Sequence, residues 1–208
     1  DVLINAKNSV DNTDREHPYL LFFGRLSKEK GVDVLIDAFA DAIADLPSNL
    51  RLVIAGDGPE RASLDEKIAS LSVTVSRRIE LVGFKSGEDL KQCVEGASLA
   101  IVSSQWRENM PYSIVEAFAL GTPVIGTNIG GISELVLDGK TGYLARAGDS
   151  TSLAAAIKRG VASSKDLDEY ARLQRACRSY VLEHCSQTKY MNDLVALYEQ
   201  LIDTKKGN

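Results

Sequence analysis

Short apolar runs alternate with amphipathic stretches along the chain from Tyr19 onward. The runs are Tyr19–Phe23, Leu50–Ala55, Ile79–Val82, Ala97–Val102, Pro123–Thr127 and Gly142–Ala145. They are short and bounded by glycine, proline or polar residues, as expected of strands buried on both faces of a parallel sheet. Between them, apolar positions recur at helical spacing over Val32–Ala44, Glu60–Leu71, Gly87–Glu95, Tyr112–Leu120, Ile132–Leu137 and Ser152–Ala162. Two more helical stretches, Lys165–Glu183 and Thr188–Asp203, follow the last strand with no strand between them and are expected outside the sheet. The alternation predicts the α/β class, a doubly wound, Rossmann-like parallel sheet of about six strands with helices on both faces and extra C-terminal helices. Residues 1–18 begin with a short apolar tract and then turn polar, which reads as a linker leading into one domain over 19–208. The start at Asp1 rather than Met reads as a fragment cut from something longer.

In a doubly wound sheet, ligands bind beyond the carboxyl ends of the strands, so the loops starting at Gly24, Gly56, Gly83, Ser103 and Asn128 should share one rim. The most informative of these carries Glu108, Asn109, Met110, Pro111, Tyr112 and Ser113, with Glu116 eight residues beyond Glu108. Pro111 suits the first position of a helix, where its missing N–H is no loss. The free N–H groups of Tyr112, Ser113 and Ile114 then point into the loop and favour an anion such as phosphate. Glu108 precedes the helix and Glu116 lies about one turn into it, so the two carboxylates can flank that anion and accept from hydroxyl groups. Taken alone, the pair equally fits a loop carboxylate and a solvated first-turn acid. After the first predicted strand, the loop from Gly24 to Gly31 contains Arg25, Lys28 and Lys30. Arg25 offers a fork of donors for phosphate oxygens and Lys30 a point charge, although a solvated basic turn has the same composition.

Composition narrows the classes. A net charge of -5 argues against a general nucleic-acid or membrane-surface binder, so any anion site has to be built locally. Cys93, Cys177 and Cys185 are few and widely spaced, which indicates neither a disulfide framework nor a metal cluster and makes a reducing, cytoplasmic setting the expectation. No run approaches the roughly 18 apolar residues of a membrane span. His17 and His184 fall outside the expected rim.

Together these segments resemble the retaining nucleotide-sugar glycosyltransferases of glycosyltransferase family 4. The resemblance runs from Tyr19 to about Ile202 and rests on Gly24, Arg25 and Leu26, Lys30 and Gly31, Gly83 to Lys85, the Glu108 to Glu116 spacing, and Gly130 and Gly131. It implies that the chain is the carboxyl-terminal, donor-binding half of a two-domain GT-B enzyme, with the amino-terminal acceptor domain absent. Arg25 and Lys30 would then hold the donor diphosphate, Glu116 the ribose hydroxyls and Glu108 the donor-sugar hydroxyls, giving Arg25, Lys30, Glu108 and Glu116 as the catalytic set. The implied donor-binding set is Gly24, Gly83, Phe84, Lys85, Asn109, Met110, Pro111, Tyr112 and Ser113, with backbone contacts to the base near Gly83. Pro111 stands where the family commonly has glycine, which removes one N–H and leaves those of Tyr112 and Ser113.

No metal and no cofactor beyond the nucleoside-diphosphate sugar is implied. The expected partners are that donor, the absent N-terminal domain, and an acceptor carbohydrate or lipid-linked glycan, with any membrane contact lying in the absent half. The isolated domain is expected to bind nucleotide without transferring sugar. Two other readings share these features: a nucleotide-sugar epimerase of similar architecture, and a non-catalytic nucleotide or carbohydrate-binding module. Phe84 also fits a core position, Trp106 and Arg107 either shape the sugar pocket or pack on the rim, and Gly56 and Gly58 read as structural turn glycines.

Overall fold

The computed structural model describes residues 17–185 and 187–206, so nearly all of the expected lead-in lies outside the described residues. Six strands form one parallel sheet: β1 (Tyr19–Phe23), β2 (Arg51–Ala55), β3 (Ile79–Gly83), β4 (Leu99–Val102), β5 (Val124–Thr127) and β6 (Gly142–Ala145). Their order is β3-β2-β1-β4-β5-β6, with every neighbouring pair parallel. The helices are α1 (Val32–Ala42), α2 (Arg61–Ser70), α3 (Val73–Ser76), α4 (Gly87–Glu95), α5 (Tyr112–Leu120), α6 (Ile132–Leu135), α7 (Ser150–Lys165), α8 (Leu167–His184) and α9 (Gln187–Lys206). The doubly wound expectation is met.

Alternate strand residues point to opposite faces, so the buried apolar positions divide into two layers. Leu20, Phe22, Leu52, Ile54, Leu99 and Ile101 meet Ile36 and Phe39 of α1 and Ile157 of α7. Leu21, Phe23, Val53, Ala55, Ala100 and Val102 meet Ile114, Ala117 and Phe118 of α5 and Cys177 and Val181 of α8. Gly160 lets α7 lie close to the sheet, because a Cβ there would stand 2.8 Å from Leu99 Cδ1. Helix α8 is tied to the layer beside α5 by Tyr170, whose hydroxyl donates to the Ser98 carbonyl at 2.7 Å, and by Arg178, which donates to the Leu120 carbonyl at 3.0 Å.

The observed boundaries depart from the sequence reading where local bonds decide them. Helix α3 is unexpected, since Val73, Thr74 and Val75 have poor helix propensity. It is held by the N–H groups of Val75 and Ser76 on the Ser72 carbonyl and by burial of Val75. Helix α6 stops at Leu135 because Val136 turns extended and the Leu137 N–H bonds the Thr141 hydroxyl. Asp149 caps α7 through the Ser152 N–H, and the helix runs three residues past its expected end at Ala162. Along α9, Tyr190, Met191, Val195, Tyr198 and Ile202 are exposed. Among the described residues, no helix is long and apolar enough to cross a membrane.

Phe118 of α5 is fully buried and meets the Tyr180 ring of α8 in a T-shaped arrangement, centroids 5.9 Å apart. Phe118→Ala should lower the unfolding free energy by about 3–5 kcal/mol, measured by urea denaturation; a loss under about 1 kcal/mol would show that this layer is not closely packed.

Candidate functional site

Strands β1 and β4 are adjacent, but the chain leaves β1 toward the α1 layer and β4 toward the α5 layer. Diverging connections leave a crevice above the carboxyl ends of the two strands. A cleft of about 530 Å³ occupies that place, its floor made by Phe22, Phe23, Ile101 and Val102 at the strand ends.

The loops that wall the cleft are joined through their backbones. The Gly24 N–H donates to the Ala55 carbonyl at 3.0 Å, the Leu26 N–H to Asp57 at 2.9 Å, and the Gly56 N–H to Gly83 at 2.8 Å. A Cβ on Gly56 would come within 1.9 Å of the Gly24 carbonyl oxygen, so this glycine is required by close approach of the first two loops. The structural reading of Gly56 holds.

Lys30 ends a short 3-10 turn over Lys28–Lys30 that closes at Gly31 in the left-handed conformation, φ 62°. The Ser103 hydroxyl donates to the Lys30 carbonyl at 2.8 Å, fixing the turn against the end of β4. The Lys30 ammonium then reaches Glu108 Oε1 at 2.9 Å, and the Ser104 hydroxyl bonds the same oxygen. Ser104 is itself held, since the buried Thr127 hydroxyl donates to its carbonyl at 2.7 Å.

The Glu108 segment rests on the loop after β5. The Gly131 N–H donates to the Glu108 carbonyl at 2.7 Å, and a Cβ on Gly131 would fall 1.7 Å from the Asn109 carbonyl oxygen. The expected common rim therefore needs one correction. The loops after β1, β2, β3 and β4 line the cleft, while the β5 loop supports Glu108 from behind.

Pro111 is buried at the N-cap of α5, one place before the first helical residue, with φ -68° and ψ 111°. The Ile114 N–H donates to the Pro111 carbonyl at 3.0 Å, so it is not one of the free donors expected at this end. The N–H groups of Tyr112 and Ser113 precede the first bond of the helix, and both residues line the cleft. Glu116 lies one turn further on, half-buried in the cleft wall, and burial pushes its carboxyl pKa upward.

Of the residues singled out from sequence, Gly24, Arg25, Lys30, Phe84, Lys85, Glu108, Met110, Pro111, Tyr112, Ser113 and Glu116 line this one cleft. Gly83 and Asn109 do not; the Gly83 carbonyl joins two loops and the Asn109 backbone lies against Gly131. Phe84 is 74% exposed, which removes the core reading, and Trp106 is 70% exposed outside the lining. Sequence reasoning missed Ser104 and Asp57 as lining residues. Their position in the first residues after β4 and β2 was the available signal. Among the described residues, no group of three or more His, Cys, Asp or Glu side chains is placed to hold a metal ion.

Chemically, the cleft lining carries Arg25, Lys30, Lys85 and the α5 N-terminus, a setting for a multiply charged anion. Glu108 and Glu116 are acceptors for hydroxyl groups. The exposed rings of Phe84 and Tyr112 at the same cleft offer apolar faces to a planar group.

Comparison with known proteins gives concordant results. The sequence model of a family described as glycosyl transferases group 1 matches residues 5–200. The chain is 34% identical over 160 residues to the lipopolysaccharide 1,2-N-acetylglucosaminetransferase of Salmonella typhimurium, covering 74% of this chain and 42% of that protein. The crystal structure of Anabaena HepE in complex with UDP-glucose superposes with a TM-score of 0.70 at 26% identity, covering 96% of this chain and 50% of that one. The C-terminal domain of a Francisella tularensis glycosyl transferase group 1 protein shares the fold, with a TM-score of 0.72 at 20% identity over 88% of this chain and 95% of that one. The chain thus spans about half the length of the full-length relatives it matches.

Gly131→Ala should displace the Glu108 segment and cost on the order of 1–3 kcal/mol in unfolding free energy. Amide NMR resonances of residues 107–110 should shift while those of α9 stay in place, and unmoved resonances at 107–110 would refute the support assigned to Gly131.

Proposed function

Because the chain belongs to the glycosyl transferases group 1 family, we propose that it is the donor-binding half of a retaining, family 4 type glycosyltransferase. In this reading the whole protein moves a sugar from a nucleoside-diphosphate donor to a hydroxyl of a carbohydrate or lipid-linked glycan acceptor. The acceptor site belongs to an N-terminal domain outside this chain, and turnover requires both halves. The observation that carries the reading is the convergence of Arg25, Lys30, Glu108, Glu116 and the α5 N-terminus on one cleft at the topological switch point.

The roles follow from charge and position. Arg25 and Lys30 face the diphosphate with the Tyr112 and Ser113 N–H groups, and together they stabilise the negative charge that grows as the nucleoside diphosphate leaves. These cations supply the neutralisation that a metal gives in other phosphate sites, and no cofactor besides the donor is proposed. Glu116 accepts from the ribose and Glu108 from the donor sugar, which orients the anomeric carbon and reduces the entropic part of the barrier. Phe84 and Lys85 border the base.

Ligand-observed NMR with UDP, GDP and ADP should show one preferred nucleotide. Arg25→Ala should weaken it about tenfold to a hundredfold, the range for losing a charge-assisted hydrogen bond. Failure of all three to bind the chain joined to its N-terminal half would sink the proposal.

Glu116 supplies a pH test. Its carboxylate accepts a hydroxyl donor at each oxygen, whereas protonation turns one oxygen into a donor, and its pKa is raised by burial. Nucleotide affinity should therefore fall with decreasing pH from a higher pH than for an ordinary glutamate of about 4.3. The same shift means that ionising Glu116 opposes folding as pH rises through the raised value. Calorimetric titrations of wild type and Glu116→Gln across the acid range should differ by this limb, and identical pH profiles would remove Glu116 from ribose binding.

A further inference from the structure

Glu108 receives two donors on one oxygen, and they come from different parts of the chain. The Lys30 ammonium and the Ser104 hydroxyl both meet Oε1. Among the described residues, no partner is assigned to Oε2. Lys30 is also the cation that the proposed function turns toward the diphosphate. An arriving phosphate competes with Glu108 for that ammonium, and a carboxylate whose only tether was Lys30 would lose its orientation as the donor binds. Ser104 has no such second role. It is 1% exposed, and Thr127, 2% exposed, holds its carbonyl.

Resting on the donor-site reading above, we propose that Ser104, braced by Thr127, is the positioning residue for Glu108: its hydroxyl keeps Oε1 in place when Lys30 engages phosphate, so that Oε2 meets the donor sugar. The serine pair then divides the work. Ser103 sets the backbone of Lys30 through its 2.8 Å bond to the carbonyl, and Ser104 sets the Glu108 carboxylate. This predicts a specific coupling. Loss of the Ser104 hydroxyl should weaken recognition of the sugar and leave recognition of the bare nucleotide intact, because Arg25, Glu116 and the α5 N-terminus do not depend on it. A merely structural serine would lower both affinities together.

The test is a double-mutant cycle on this chain by isothermal titration. The probes are UDP, GDP and ADP, with UDP-glucose, UDP-N-acetylglucosamine, GDP-mannose and ADP-glucose as the sugar-bearing partners. The quantity read is the affinity ratio of nucleotide sugar to nucleotide. Ser104→Ala should reduce that ratio about tenfold, as for a lost bond to a charged group, with nucleotide affinity unchanged within about twofold. Ser104→Thr, which keeps the hydroxyl, should restore most of the ratio, and Ser104→Ala should have no further effect in the Glu108→Ala background, which has no side-chain acceptor for it. Nucleotide binding with an unchanged ratio in Ser104→Ala overturns this proposal alone. A wild-type ratio near unity overturns it as well, since Glu108 would then make no sugar contact. Where the isolated chain binds no nucleotide the same cycle is run on the chain joined to its N-terminal half, and absence of nucleotide binding there overturns the donor-site reading and this inference with it.

Discussion

Strands β1 and β4 pair at Leu20 with Leu99 and at Leu21 with Ala100, yet the chain leaves them toward opposite faces of the sheet. No connection can close the gap above two strands whose crossovers diverge. A crevice at their carboxyl ends is thus a consequence of the strand order rather than of any one side chain. The remaining features of the site are ways of furnishing it. Helix α5 must cover the far face of β4, so its N-terminus opens at the crevice with two unbonded N–H groups. The turn after β1 must reach α1 on the near face, so Lys30 arrives from the other side.

The charge of the molecule runs against that of its expected ligand. A net charge of -5 repels polyanions at long range, but exposed charges are screened beyond about 8–10 Å at ordinary ionic strength. What acts on a ligand inside the cleft is the local set of Arg25, Lys30, Lys85 and the helix end. The Lys30–Glu108 pair has side-chain exposures of 30% and 19%, so it is partly screened and adds little to folding stability. Its significance is geometric. It holds a cation and a carboxylate in contact at the wall of the cleft, ready to take different partners.

Precision in this site comes mainly from backbone contacts. Glu108 is placed by the Gly131 N–H beneath its own carbonyl, and Lys30 by the Ser103 hydroxyl on its backbone. The loops after β1, β2 and β3 are likewise stitched by main-chain bonds at Gly24, Leu26 and Gly56. Such contacts demand that no Cβ intervene, which accounts for glycine at 56 and 131. Sites built this way tolerate variation in exposed side chains such as Phe84 and Tyr112 while keeping Lys30 and Glu108 in register.

Much of this was legible in the order of residues. Six apolar runs separated by amphipathic stretches dictated a parallel sheet, because strands buried on both faces must be apolar throughout. Arg25, Lys30, Glu108 and Glu116 could be named because each stands on the loops that a doubly wound sheet gathers and within a motif resembling that of the glycosyltransferase family, whereas position alone also fitted a solvated basic turn and solvated acids. Less visible were elements made by contacts distant in sequence. Helix α3 forms against its own propensity because Val75 is buried, and the loop at Gly130 and Gly131 supports Glu108 from behind because β5 lies beside β4. Ser104 escaped notice for the same reason: a hydroxyl gains a role only when a carboxylate four residues on folds back to it and Thr127 of the next strand secures it. The sequence by itself determined the layers, the strand count and most of the residues at the rim, since periodicity and turn chemistry are local. Which of those residues share a hydrogen bond was decided by the tertiary structure alone, since that depends on strand order and on how closely one backbone approaches another.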